Sequence, residues 1–319
     1  MNIQLLIDNL TNPALLFFIL GIIAVRLKSD LEIPPNSSKF ISLYLLFSIG
    51  FKGGQELAHS EFEFTIIWAV LFGIFIASAI PLYTFFIIRK KVGVENAGAI
   101  AAAYGSVSAV TFVTAVTFLE IQEVAFSGYM VAIMALMEAP AIIIGMLLIK
   151  VYGASNVLEV KLKKVISHAF TNGSVVMILG SLLIGFLAND HEAEGIKPFT
   201  TDIFKGFLAI FLLDMGISSG KKLKAFLDSG KSLVVFAIVI PLINGSLTAL
   251  LSQVITNNTG DRFMLAILAA SASYIAVPAA MKIAVPKANP GLFLPMALAV
   301  TFPINITVGF PIYYIIAGL

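Results

Sequence analysis

The sequence predicts an all-α polytopic membrane protein, in which ten transmembrane helices form an inverted five-plus-five repeat with two broken helices that cross the midplane. The first observation is composition: 59% of the 319 residues are hydrophobic and 12% are charged, whereas soluble domains carry about 25% charged residues. The second is a series of apolar runs of about 20 residues, each long enough to cross a ~30 Å hydrocarbon core. The third is a pair of polar segments that each interrupt one of these runs.

Charged and polar residues divide the chain into predicted membrane spans. The ten spans cover about residues 12–28, 37–54, 64–88, 96–118, 124–149, 167–188, 199–219, 232–256, 262–284 and 290–318. Since no low-complexity segment separates soluble domains, we expect one membrane domain. The first repeat is expected at 1–150 and the second at 167–319, with a short cytoplasmic linker at 151–166.

The basic residues predict how the chain is oriented. With ten spans, both termini and the even-numbered loops share one side of the membrane. Sixteen of the 20 lysines and arginines lie in or near the odd-numbered loops, on the other side of the membrane. The exceptions are Lys52, Lys197, Lys205 and Arg262. Because cytoplasmic loops carry the excess of basic residues, both termini are predicted to lie on the outer side of the bacterial inner membrane.

Matched motifs predict that the second half repeats the first. Phe47–Leu57 resembles Leu213–Leu223 at a spacing of 166 residues, and other pairs match at spacings of 163, 164 and about 168. Because five spans per repeat is an odd number, the second copy must enter the membrane inverted. Inverted repeats of this kind are typical of secondary transporters.

Two polar segments interrupt spans four and nine near their middles and form the predicted centre of function. They are Gly105–Thr111 and Ser271–Pro278. A helix break at this depth exposes backbone groups that lipid cannot satisfy, so both segments must face protein or a water-filled cavity. The alternative is that their small residues only allow close packing of helices.

The restart of each broken helix predicts an anion site. N–H groups without partners, expected near residues 111–114 and 277–280, give each helix N-terminus a charge of about +0.5. Carbonyl oxygens at the ends of the first half-helices suit Na⁺. The hydroxyls that can complete either site are those of Ser106, Ser108, Thr111, Ser271 and Ser273.

A carboxylate near the middle of span five predicts a coupling-ion site. An ionised side chain at the bilayer centre costs at least ~2.5 kcal/mol, and Glu138 occupies such a position. It is a candidate cation ligand or proton carrier, and Asn305 follows the equivalent motif in the second repeat. The alternative is a buried acid hydrogen-bonded to a neighbouring helix.

The residues give little support to catalysis or to a cofactor. The chain has no cysteine, and its three histidines lie near predicted loops or span ends. Without a buried histidine, a thiol or paired intramembrane aspartates there is no nucleophile with a base. We therefore expect no enzyme activity, no cofactor, no nucleic-acid partner and no metal site beyond one for Na⁺.

Motifs along nearly the whole chain resemble a known family. They are Ile49–Gly54, Gly105–Ser108, Met137–Pro140, Ala269–Ser273 and Ala288–Pro290. In this order they resemble the cyanobacterial sodium-dependent bicarbonate transporter family and its wider bacterial permease relatives. The resemblance implies a core domain that moves against a gate domain, both formed from the two halves of the chain, usually in a homotrimer.

The resemblance also implies that Na⁺ and bicarbonate bind near the two broken helices. The substrate residues expected from the breaks and the resemblance together are Gly105, Ser106, Ser108, Ala109, Thr111, Ser271, Ser273, Tyr274 and Val277. The residues expected at the coupling ion are Glu138, Ser271, Ser273 and Asn305.

The second break departs from the family pattern. Where the family has an aspartate followed by Ile-Ser-Gly-Pro, this chain has Tyr274–Pro278, so a carboxylate and a hydroxyl are replaced by a phenol and apolar residues. The leading expectation is Na⁺-coupled symport of bicarbonate or a similar small anion. A proton-coupled or other organic-anion transporter is one alternative, and a channel or transport-inactive sensor on the same fold is another.

Overall fold

All regular structure in the described part of the chain is helical. The computed structural model describes residues 11–60, 63–153, 167, 171–227 and 230–319. The first half contains α1 (Pro13–Arg26), α2 (Pro35–His59), α3 (Phe64–Val92), α4 (Val94–Gly105), α5 (Ala109–Ile121) and α6 (Tyr129–Tyr152). The second half contains α7 (Gly173–Leu187), α8 (Asp190–Lys197), α9 (Phe204–Leu227), α10 (Lys231–Leu251), α11 (Thr259–Ala270), α12 (Ala276–Ala284) and α13 (Pro290–Ala317).

The expectation of a multi-pass membrane protein is confirmed. Among the described residues, six helical stretches are long and apolar enough to cross a membrane, and α1 and α7 are apolar but shorter. Each predicted span overlaps a helix or a pair of half-helices, while the count of ten spans stays a prediction. Of the predicted linker, residues 151–153 belong to the end of α6 and its cap, and residues 154–166 lie outside the described residues.

Side-chain caps fix where several helices begin. Asn12 accepts a hydrogen bond from the N–H of Ala14 at 2.9 Å, and Asn172 accepts one from Ser174 at the same distance. Asn258 caps α11 in the same way through the N–H of Asp261 at 3.1 Å. Asparagine is a strong N-cap because its side-chain oxygen satisfies an N–H group that the helix leaves unpaired.

Helices α1, α2, α7 and α9 form one bundle, called the first bundle below. Its main contacts are α1 with α9 and α2 with α7. A Cβ atom at Gly21 or Gly216 would lie 2.3 or 2.0 Å from a carbonyl oxygen of the partner helix, and at Gly54 or Gly185 2.1 or 2.2 Å. These glycines therefore allow backbone-to-backbone packing, the close approach that small residues provide in membrane helices.

Helices α3–α6 and α10–α13 form the second bundle, which encloses the two broken helices. Of the apolar stretch of α4 and α5, 94% is buried, against 33% in α3. Helix α4 packs on α3 and α6, and α11 packs on α10 and α13. The broken helices thus run through the protein interior, where their free backbone groups can meet protein partners.

Helix α13 is irregular over much of its length. Met296–Thr301 and Asn305–Gly309 are π-helical, and Pro303 and Pro311 lie within the helix. Proline removes a backbone donor, and π-helical turns occur often at functional sites because they turn side chains away from the regular spacing. In this helix Thr301 contacts Tyr104 near the end of α4, and Asn305 contacts Ala270 at the end of α11.

Candidate anion and cation site at the two helix breaks

Both breaks are shorter than the sequence predicted. Helix α4 ends at Gly105 and α5 begins at Ala109, while α11 ends at Ala270 and α12 begins at Ala276. Thr111 is helical because the Ser108 hydroxyl accepts a hydrogen bond from its N–H at 3.2 Å. Val277 and Pro278 are helical because proline is tolerated in a first turn, where an N–H would have no helical partner.

The unpaired N–H groups of α5 lie earlier than expected. Ser108 accepts hydrogen bonds from Thr111 through its hydroxyl and from Phe112 through its carbonyl oxygen. The donors that the helix leaves free are therefore those of Ala109 and Val110, and the prediction of residues 111–114 was wrong. The displacement follows from the cap, because Ser108 starts the helix immediately after itself.

The two breaks are hydrogen-bonded directly to each other. The N–H of Ser108 donates to Ser271 Oγ at 2.9 Å, and the N–H of Ser273 donates to the carbonyl oxygen of Ala103 at 2.8 Å. Ser271 Oγ in turn donates to the carbonyl oxygen of Leu268 at 3.1 Å. These bonds satisfy polar groups for which lipid offers no partner.

Helix α13 supports the end of α11. Asn305 Nδ2 donates to the carbonyl oxygen of Ala270 at 2.8 Å, and Asn305 Oδ1 accepts from the Tyr313 hydroxyl at 2.8 Å. The Thr301 hydroxyl, 2.8 Å from that of Tyr104, donates to the carbonyl oxygen of Ala237. Both polar ends of the Asn305 amide therefore have protein partners, which makes it a positioning residue.

A small cavity of about 40 Å³ lies where the breaks face the first bundle. A volume of about 10–15 Å³ already holds one water molecule, so this cavity has room for a small ion. Five predicted site residues line it: Ser108, Ala109, Glu138, Ser273 and Tyr274. The other lining residues are Ser42, Leu46, Val107, Met134, Ala135, Ser174, Val175, Ile178, Ile275 and Ala276.

The other predicted site residues do not line the cavity but support the residues that do. Gly105 packs against Pro81, and a Cβ there would lie 2.3 Å from the proline ring. Thr111, Ser271 and Val277 form hydrogen bonds within or between the two breaks. Ser106 is fully buried, and its hydroxyl has no partner among the described residues.

The carboxylate of Glu138 is buried yet without a protein partner. The residue is 7% exposed and lines the cavity. Among the described residues, none donates a hydrogen bond or forms an ion pair with it. Since buried carboxylates are nearly always paired, a free one beside a cavity indicates a ligand or a proton. The alternative of an acid hydrogen-bonded to a neighbouring helix has no support here.

The N-termini of two helices reach the same cavity. Ala109 begins α5, Ala276 begins α12, and both line the cavity. Each helix contributes a charge of about +0.5 at its N-terminus. The lining residues therefore supply positive charge for an anion although none of them is basic.

A larger cavity of about 760 Å³, called the vestibule below, joins the small one on the side where α2 begins and α9 ends. The two cavities share Ser42, Ser174, Tyr274 and Ile275. The vestibule is also lined by charged residues, which are Glu32, Lys39, Asp214, Lys221 and Lys222. The central cavity is thus accessible from one side of the protein.

Tyr274 in the second break lines both cavities. Tyr274 is 9% exposed, and its hydroxyl lies 3.6 Å from the sulfur of Met215 on α9. The second break therefore contacts the first bundle through this ring.

Sequence reasoning missed the residues that the first bundle contributes. Ser42 on α2 and Ser174 at the start of α7 bring hydroxyls to the cavity. Their one signal was a polar residue within an otherwise apolar helix, which is too common in membrane helices to identify a site.

A family model described as the Na⁺-dependent bicarbonate transporter superfamily matches residues 13–318, nearly the whole chain. Comparison with curated proteins gives no match. The family match agrees with a buried site that combines positive helix ends with a free carboxylate, and it shows that the chain belongs to the Na⁺-dependent bicarbonate transporter superfamily.

Proposed function

We propose that this protein is a secondary active transporter that couples the movement of Na⁺ to uptake of bicarbonate or a similar small anion by alternating access. One observation carries the proposal. The same small cavity receives two helix N-termini and the carboxylate of Glu138. A site of this composition attracts an anion and a cation together.

The anion is held by backbone and hydroxyl donors. The N–H groups at the start of α5 and the hydroxyls of Ser108 and Ser273 are donors that a planar oxyanion of the size of bicarbonate can accept from. A cavity of about 40 Å³ favours such a small anion over a larger organic one. The hydroxyls of Ser42 and Ser174 complete the site from the first bundle.

Coupling follows from the charge of Glu138. Two helix ends supply about one positive charge, which one anion neutralises. An ionised Glu138 in the same cavity repels that anion, because like charges separated by a few ångströms interact strongly in a medium of low dielectric constant. Na⁺ at Glu138 removes the repulsion, so each ion raises the affinity for the other. Ser271 and Ser273 stay candidates for the remaining oxygen ligands.

The directions of the helices support the inverted repeat. The glycine contacts show that residue numbers rise together in α1 and α9, and also in α2 and α7, so each pair runs parallel. Helices α2 and α9 run antiparallel, since Ser38 bonds to Asp214 at one end and Tyr44 to Phe199 towards the other. Helix α7, the counterpart of α1, therefore runs opposite to α1.

The close-packed glycines recur at the repeat spacing. Gly21 and Gly185 are 164 residues apart, and Gly50 and Gly216 are 166 apart. In the α1–α9 pair Gly21 contacts Gly216, and in the α2–α7 pair Gly50 contacts α7.

Links at the helix starts recur in the same way. The N–H of Ser127, near the start of α6, donates to Asp261 Oδ1 at 2.6 Å, and the N–H of Asn289, before α13, donates to Asn96 Oδ1 at 2.7 Å.

We therefore keep residues 1–150 and 167–319 as the two repeats. The first bundle is the gate, and the second is the core that moves against it. The homotrimer, the inner membrane and the external termini belong to the same proposal.

Two other functions stay open to test. Proton coupling uses the same observation, because a carboxylate without a partner can carry a proton as well as bind Na⁺. A channel or transport-inactive sensor would keep the cavity but show no gradient-driven uptake.

Uptake of labelled bicarbonate into proteoliposomes tests the proposal, first with an imposed Na⁺ gradient and then with a proton gradient. We expect accumulation with the Na⁺ gradient and its loss in Glu138→Gln. The matched control is Glu123→Gln, an exposed carboxylate in the α5–α6 turn, which should transport normally. Uptake that is indifferent to both gradients would overturn the symport proposal, and dependence on the proton gradient alone would assign proton coupling.

A further inference from the structure

The ion pairs among the described residues all lie at the same end of the molecule. The carboxylate of Glu120, at the end of α5, meets Lys52 of α2 at 3.5 Å and Lys205 of α9 at 3.2 Å. The other two pairs, His59 with Asp190 and Lys197 with Glu194, surround the same end. One carboxylate of the second bundle thus joins two helices of the first.

The vestibule lies at the opposite end of these helices. Lys205 and Lys221 of α9 are separated by about 24 Å at 1.5 Å per residue, and Lys221 lines the vestibule. A cavity of about 120 Å³ lies beneath Glu120, lined by Lys52, Val116 and Phe204 among others. The central cavity is therefore accessible from the vestibule, while charged contacts join the bundles at the other end.

The repeat predicts which residues would form the same contact at the vestibule end. At a spacing of 166 residues, Lys205 corresponds to Lys39 and Lys52 to Ser218, and at 167 Glu120 corresponds to Lys287. Lys39 and Ser218 line the vestibule. Two cations and a hydroxyl cannot form an ion pair, so the two ends of the repeat differ in charge.

We propose that Lys52, Glu120 and Lys205 form an ionic latch that biases alternating access, so that the resting protein opens at the vestibule. The proposal rests on the alternating-access function above. The gate must separate from Glu120 to open the other end, which breaks both ion pairs. The equivalent contact at the vestibule end cannot be an ion pair, because its residues are Lys39, Ser218 and Lys287.

The latch biases the equilibrium without fixing it. Lys52 and Glu120 are about one-third exposed and Lys205 is more exposed, and solvated ion pairs of this kind contribute modestly. We expect loss of both pairs to raise the population open at the latch end by about three- to tenfold. High salt should reduce the difference, because exposed charges are screened.

The absence of cysteine from the sequence allows a direct test. Val116→Cys places a thiol in the cavity beneath the latch, and Ser218→Cys places one in the vestibule. The rate of maleimide labelling of each thiol in purified full-length protein is compared with and without Glu120→Gln. We expect labelling at position 116 to accelerate by about three- to tenfold, while labelling at position 218 changes less than twofold, because that end is already open.

Glu123→Gln is the matched control. It removes an exposed carboxylate from the α5–α6 turn, close in sequence to Glu120, that forms no ion pair among the described residues. Unchanged labelling at position 116 in Glu120→Gln, or equal acceleration in both variants, would overturn the latch. Lys52→Gln and Lys205→Gln should each give part of the effect.

A further arm separates the latch from the proposed function. Saturating Na⁺ and bicarbonate are added to the two cysteine variants without Glu120→Gln. Labelling that responds to these ions but not to Glu120→Gln would reject the latch and keep alternating access. Labelling that responds to neither would reject both.

Discussion

The two helix breaks are equivalent in the proposed repeat but are built differently. The first, residues 106–108, is closed by the Ser108 cap and fixed to the second break by the bond to Ser271 Oγ. The second, residues 271–275, has no side-chain bond from its N-cap Ile275 and only a long one, 3.4 Å, from the N–H of Val277 to Ser273 Oγ. Its Tyr274 hydroxyl contacts Met215 of the first bundle. The comparison teaches that one break is fixed by its own cap, while the other contacts the first bundle, which is the proposed gate.

The same asymmetry separates Glu138 from Asn305. These residues are 167 apart and lie beside the first and the second break. Glu138 has a free carboxylate in the cavity, whereas the Asn305 amide is bonded on both sides. One position thus carries a free carboxylate, the proposed cation ligand, and the other a structural support, which predicts different effects of mutation at the two positions.

The largest expected effect is that of Glu138→Gln on coupling. Because glutamine has nearly the same shape but no charge, Na⁺-driven uptake should fall by about 100-fold, the upper range of coupling between two sites. Uptake in proteoliposomes measures the loss, and the temperature of unfolding should stay within a few degrees. A variant that still concentrates bicarbonate would remove the contrast between the repeats.

Replacement of Asn305 should act on stability instead. Asn305→Ala leaves the buried carbonyl oxygen of Ala270 without its donor, which costs about 1–3 kcal/mol. We expect a lower unfolding temperature of the purified protein, with Na⁺ dependence of the remaining uptake unchanged. Loss of Na⁺ dependence in folded protein would instead make Asn305 a direct ligand.

The two serines that precede the restarted helices test the difference between the breaks. Ser108→Ala removes the cap of α5, at about 1 kcal/mol, and also a hydroxyl of the cavity. Ser273→Ala should destabilise less, since its bond to the N–H of Val277 is 3.4 Å long, near the limit for a hydrogen bond. Thermal unfolding and the KM for bicarbonate of both variants decide this, and equal losses of stability would contradict the idea of a fixed first break.

The smallest expected effect is that of Tyr274→Phe. The hydroxyl interacts with Ser108 and with the sulfur of Met215, which is a weak acceptor. Because the Ser108 cap of α5 does not depend on this hydroxyl, we expect uptake to change by less than about twofold. Tyr274→Ala serves as the comparison, because it removes the ring that lines both the central cavity and the vestibule. If the phenylalanine variant loses transport as the alanine variant does, the hydroxyl itself binds the ions.

The sequence predicted the location of the breaks more accurately than their length. Gly105 is the last residue of α4 and Ser271 the first residue after α11, and both lie where the predicted breaks begin, because a loss of apolar periodicity is visible locally. Thr111 and Val277 were assigned to the breaks but are helical, since a serine cap and a first-turn proline act within a few residues of the predicted boundary. Boundaries depend on single hydrogen bonds, which composition does not show.

The sequence by itself determined that this is a membrane protein, which family it belongs to, and that two of its apolar runs have polar interruptions. It could do so because hydrophobicity and the order of motifs are properties of neighbouring residues. Only the tertiary structure decided which polar groups reach the cavity. It turned Ser271 into a bond between the breaks, left Glu138 free, and brought Ser42 and Ser174 from the first bundle. The physical reason is that a buried polar group must find a partner, and distant helices supply or withhold that partner only once they have packed.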